Sequence, residues 1–255
     1  MKKMKNDRTG ECFITNEGYS VIIISYENAN SIYVQFQDKY KAIVHTKYDN
    51  CKKGRIKNPY HPSVYGIGCL GQGKYCSSIN GKENKMYRVW IGMFNRCYNE
   101  SLHKKYETYE GCTVCEQWHN FQNFGEWYEK NYYEIDGERM ELDKDILKKG
   151  NKIYGPETCM FVPHRINSLF IKSDKTRGDL PIGVSYSKSN EKYQVQCNNG
   201  RELQHLGFYD NIEEAFLVYK SFKEQCIRIT AEEYKNIIPK KLYQAMNNYY
   251  VEFYD

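Results

Sequence analysis

Carboxylates, amides and a histidine crowd one stretch of the chain, ELDKDILKKGNKIYGPETCMFVPHRIN, from Glu141 to Asn167. Asp143 and Asp145 follow the apolar Leu142, Gly150 and Asn151 mark a turn, and Cys159 to Val162 is a second apolar run that Pro163 ends. From His164 to Phe170, Ile166, Leu169 and Phe170 supply the apolar side of a short helix. The pattern is strand, turn, strand, helix. Hard oxygen ligands gathered near one end of such a unit suit a divalent cation.

The order Leu142, Asp143, Lys144, Asp145, then Gly150 and Asn151, then Tyr154, Pro156, Glu157 and Cys159, and finally Asn167, resembles the HNH (His-Me finger) nuclease core of bacteriophage and prophage proteins. The run from Tyr87 and Arg96 to Trp118 and Phe124 is similar to what precedes that core, so the resemblance covers Tyr87 to Phe170. It implies that Asp143 binds Mg2+ or Mn2+ with Asn167 as second ligand, while Asn151 holds the turn or a water. The family places a histidine after the aspartate, as the base that takes a proton from water. Lys144 stands there instead. At an ordinary pKa near 10.4 a lysine is protonated and suits a phosphate better than a proton, which leaves His164 and Asp145 as the nearby candidates for the base.

These residues need a scaffold, and the composition allows one. The chain has 255 residues, 40% hydrophobic and 27% charged, enough for two or three small folded modules. A formal charge of +5 suits approach to a polyanion and argues against a protein that imitates DNA. No stretch is apolar and long enough to span a bilayer and no leader follows Met1, so a cytoplasmic location and no membrane partner are expected. The ten cysteines then read as reduced thiols. Cys112-x-x-Cys115 lacks a second ligand pair, so zinc is not expected.

Along the chain, Val21 to Ile24 and Ile32, Val34 and Phe36 alternate as strands about a turn at Glu27 to Asn30, which predicts a small N-terminal sheet or barrel. Lys52, Lys53, Arg55 and Lys57 follow as a basic arm, read equally as a solvated connector or as a contact to phosphates. Gly66, Gly68, Gly71 and Gly73 precede Lys74, but Tyr75 and Cys76 replace the residues a phosphate-binding loop requires, so nucleotide binding is rejected in favour of a hinge or close-packed turn. Met86 to Tyr98 and Trp118 to Tyr128 carry apolar stripes at helical spacing and are expected to cradle the strand-turn-strand-helix unit. Ser173 to Asp179 reads as a polar linker.

Beyond it, Gly183 to Ser187, Lys192 to Cys197 and Leu203 to Phe208 predict three strands, and Asn211 to Arg228 an amphipathic helix that Asn211 caps, with Glu214 three residues on. Pro181, Ile182, Gly183, Val184, Tyr193, Leu206, Gly207, Phe208, Glu214, Ala215 and Tyr219 resemble the APETALA2-type DNA-binding domain. That resemblance implies a three-stranded sheet lying in the major groove. Lys188, Lys192, Gln194, Gln196, Arg201 and Gln204 are the candidate contacts, because arginine grips guanine and glutamine grips adenine through paired hydrogen bonds. The tail is expected to form helices at Ala231 to Asn236 and Leu242 to Asn248, and no motif there assigns it a chemical role.

The whole reads as an α+β chain of three modules, residues 1–63, 64–172 and 173–255. Double-stranded DNA is the expected partner, met by an HNH endonuclease of the homing type or by a binding protein on the same scaffold that does not cut. Binding of a host or defence protein is a third reading, for which no residue speaks directly. No motif specifies the oligomeric state.

Overall fold

The structure is a computed structural model that describes residues 7–171, 179–253 and 255. All but the last residue of the expected linker Ser173 to Asp179 lies outside them. Helices and several small sheets coexist, as the α+β reading requires. Two compact units divide the chain between Lys130 and Asn131, not after residues 63 and 172.

In the first unit, β1 (Cys12–Ile14), β2 (Ser20–Asn28), β3 (Ser31–Phe36) and β4 (Ile43–Thr46) form an antiparallel meander in sequence order. Alternation puts Val21, Ile23, Ile32, Val34 and Phe36 on one face, where they form a core with Ala42, Cys51 and Ile56. The basic segment is part of this body. Lys52 ends the short helix α1 (Tyr48–Lys52), Ile56 enters the core, and the buried Asn58 donates to Asp38 Oδ2 at 2.7 Å.

A small hairpin, β5 (Ser78–Ile79) and β6 (Lys82–Glu83), leads into α2 (Lys85–Tyr98), capped by Asn84, whose side chain accepts from the Met86 amide. Next come α3 (Glu100–Lys105), β7 (Thr113–Val114) and α4 (Phe121–Asn131). Trp90, Phe94, Trp118, Phe121 and Phe124 are fully buried, and Trp90 Nε1 donates to the Trp118 carbonyl at 2.8 Å. Trp118 sits in a 3-10 turn before α4, so that helix starts three residues later than the aromatic pattern suggests. The glycine series is a close-packed turn: a Cβ on Gly68 would stand 2.9 Å from the Phe94 ring.

The second unit holds β8 (Met140–Asp143), β9 (Ile153–Tyr154), β10 (Met160–Pro163) and α5 (His164–Ser168), with β8 and β10 antiparallel. It also holds the sheet β11 (Val184–Ser187), β12 (Lys192–Asn198), β13 (Leu203–Tyr209), and two helices, α6 (Ile212–Tyr234) and α7 (Lys240–Asn247). The α6 helix runs unbroken through Ile229, where the sequence suggested an end. Its first half packs Ala215, Phe216 and Tyr219 under the three-stranded sheet with Val184, Val195 and Cys197. Its second half packs Ile227, Ala231 and Tyr234 against Met160, Val162, Ile166 and Leu169, and Ile238, Leu242 and Met246 from the tail complete that core.

Within this unit the strand-turn-strand-helix motif is supported by α6 and α7. One helix serves both modules, which is why no boundary falls between them. So small a strand-turn-strand-helix unit buries too little apolar surface to stand alone.

Candidate nucleic-acid interface

The acid-rich turn after β8 is tied up by its own backbone. Asp143 Oδ1 accepts from the Asp145 amide at 2.8 Å and the Ile146 amide at 2.6 Å, which shapes the turn. Burial pushes the Asp143 carboxyl above the usual carboxylate range against those two donors, and the charge of Asp145 adds to the rise. Lys144 is buried. Its Nζ donates to Asp145 Oδ2 at 2.6 Å and to the Asn151 carbonyl at 2.7 Å, and lies 5.8 Å from the centre of the Tyr154 ring. Asn151 answers by donating to the carbonyls of Lys144 at 2.9 Å and Ile153 at 2.7 Å. Of the roles implied for Asn151, the structure carries the holding of the turn.

Asn167 does not join Asp143. Its amide donates to Glu141 Oε2 at 2.6 Å, and Glu141 Oε1 meets His164 Nδ1 at 3.0 Å and the Arg139 guanidinium. Burial raises the Glu141 carboxyl, but the Asn167 donor, Arg139 and His164 together outweigh it and hold it below its ordinary value. Asp143 and Asn167, the ligands implied for Mg2+ or Mn2+, are thus engaged with different partners and do not fit a shared cation as arranged. Among the described residues no three His, Cys, Asp or Glu side chains converge as a metal-binding group. The sequence reading missed Glu141 and Arg139, although Glu141 lies two residues before Asp143 and so on the same face of β8.

The three-stranded sheet has the opposite character. Val184, Val195 and Gly207 pair across the strands on the side facing α6, and a Cβ on Gly183 would collide with the Tyr219 ring, so the chain needs glycine there, at φ +77°. The residues between them point outward. β11 contributes Ser185 and Ser187, β12 contributes Lys192, Gln194 and Gln196, and β13 contributes His205 and Phe208. None of these seven is a carboxylate. Gln194 Nε2 donates to His205 Nδ1 at 3.3 Å, the His205 and Phe208 rings lie 4.9 Å apart, and Lys192 Nζ is 3.1 Å from Asp210 at the strand end.

Two expected members of this face are elsewhere. Gln204 pairs with the buried Cys197 and so lies on the helix side, where it donates to Glu202. Arg201 occupies the turn before β13 and its guanidinium lies 3.6 Å from Glu233 on α6. For Gln204 the cause is a bulge at Leu206. Val195 faces Gly207 while Gln196 faces His205, so His205 and Phe208, three apart in sequence, share the outer face. Lys188 is exposed in the β11–β12 turn.

Lys52, Lys53, Arg55 and Lys57 are all exposed, with Lys53 paired to Asp49 at 2.7 Å and Lys52 lying 5.5 Å over the Tyr48 ring. Cys112 is buried and donates to the Thr108 carbonyl, while Cys115 is half-buried with its thiol pushed up by burial. No helix of the described residues is long and apolar enough to cross a membrane. No family model, curated protein or solved structure matches the chain.

Proposed function

We propose that this chain binds double-stranded DNA, with the outer face of β11–β12–β13 as the contact surface. The observation that carries the reading is the face itself: donors and acceptors from Ser185, Lys192, Gln194, Gln196 and His205 are displayed together, with Asp210 paired to Lys192 at its edge. Three strands spaced about 4.8 Å apart span about 10 Å, within the roughly 12 Å width of the major groove. In this reading Lys188 at the turn and Lys192 at the strand end meet phosphates, which fix position, while the amides of Gln194 and Gln196 meet base edges.

The test is retardation of random-sequence duplex by the full chain. Binding that weakens steeply with salt is expected, since each neutralised phosphate contributes about 0.9 to the log-log slope. A Lys192→Ala, Gln194→Ala, Gln196→Ala triple variant should lose it. Absence of retardation at low salt removes the reading.

Cleavage is a second reading, favoured by the contact between Glu141 and His164. Nδ1 of this half-exposed imidazole lies 3.0 Å from Glu141 Oε1 and 2.9 Å from the Arg139 guanidinium, and the tautomer that donates from Nδ1 to the carboxylate is the one that leaves Nε2 to accept a proton. Supercoiled plasmid incubated with Mg2+ or Mn2+ should then be relaxed by the native chain and not by His164→Ala. Plasmid that stays intact leaves binding alone.

A further inference from the structure

We infer that the outer face of the sheet selects A·T base pairs and reads the thymine methyl group through Phe208. The inference rests on the DNA-binding reading and adds to it the chemical class of the target. Guanine is read chiefly by arginine, through O6 and N7, and adenine by glutamine, through N6 and N7. Arg201, in the turn before β13, is off this face and lies 3.6 Å from Glu233. The face keeps two glutamines, Gln194 and Gln196, on one regular strand.

Residues two apart on a strand repeat at about 6.7 Å, close to two base steps at about 3.4 Å each. A strand lying along the groove therefore brings the two amides to base pairs separated by one.

Phe208 supplies the second half of the argument. It stands directly across from Gln194 and stays 39% exposed, an apolar ring on the edge strand of a mostly polar face. An aromatic ring there gains nothing from water. In the major groove the apolar feature of an A·T pair is the C5 methyl of thymine, which neither G·C orientation offers. Gln194 on adenine and Phe208 on the neighbouring methyl make one composite contact. The bulge at Leu206 is what brings Phe208 and His205 to the same side, where His205 accepts from Gln194 and orients its amide.

The experiment selects duplexes on the full chain from a random pool, then resynthesises the selected sequence with deoxyuridine in place of thymine. Selected sequences should contain A·T pairs at positions two apart. Loss of the methyl should weaken binding by about fourfold, the worth of one buried methyl group. Phe208→Ala should bind the thymine and uracil duplexes equally. Because the uracil comparison uses the native chain, a folding defect in the variant does not affect it. A selected G·C-only sequence, or equal affinity of the native chain for the thymine and uracil duplexes, overturns the inference and leaves DNA binding standing. No retention of any duplex at low salt overturns both.

Discussion

The turn after β8 and the outer face of β11–β12–β13 hold similar polar side chains and spend them differently. Asp143, Lys144, Asp145 and Asn151 bond to one another and to their own backbone within a few residues. Lys192, Gln194, Gln196 and His205 belong to a sheet whose backbone groups are already paired by its ladders, which leaves the side chains to face outward. A polar group satisfied inside the fold contributes to stability, and one held outward on a rigid sheet contributes to recognition. Residue type alone does not separate the two cases.

Four substitutions test that difference, taken from the largest effect to the smallest. Leu242→Ala empties a fully buried position under both the turn's motif and α6, and should cost about 2–5 kcal/mol in a denaturant titration. A loss within experimental error would mean the tail does not hold the motif. Lys144→Ala removes the donor to Asp145 and to the Asn151 carbonyl, so about 1–3 kcal/mol of stability should go with it while duplex affinity stays unchanged. The reverse outcome would make Lys144 a phosphate contact and erase the contrast.

Asp143→Asn keeps an acceptor for the two turn amides and removes a carboxyl that the fold disfavours as an anion. A carboxyl with a raised folded pKa contributes stability fully present below its ordinary value near 3.8 and lost as pH rises through the folded value. The melting temperature of the variant relative to the native chain should therefore rise between acid and neutral pH. A constant offset across that range contradicts the assignment. Lys188→Ala should leave stability within about 0.5 kcal/mol and reduce the salt slope of duplex binding by about 0.9, measured by titration at several salt concentrations.

Much of the fold was legible locally. Alternation at Val21 to Phe36, the helical stripe from Met86 to Cys97, and the Asn211 cap, whose side chain accepts from the amides of Glu213 and Glu214, all came through as read. What stayed hidden depended on partners distant in sequence. The stripe of α6 continues past Arg228 only because Met160, Val162 and Ile166 wait on the far side of the core, and no local pattern announces them. The candidate face was half legible. Strict alternation names Lys192, Gln194 and Gln196, but an irregularity at Leu206 takes Gln204 off the face and sets His205 on it beside Phe208, and bulges carry no dependable sequence mark. Glu141 was overlooked because the aspartates beside it drew the argument.

The unbroken run of α6 has a mechanical consequence. Twenty-three helical residues make a rod about 34 Å long, gripped by the sheet at one end and by the strand-helix motif at the other. Neither end can melt without baring the apolar flank of the same rod, so residues 131–255 should denature in one cooperative step. A fragment that begins at Asp179 would leave Ile227, Ala231 and Leu242 facing water and would clump rather than fold.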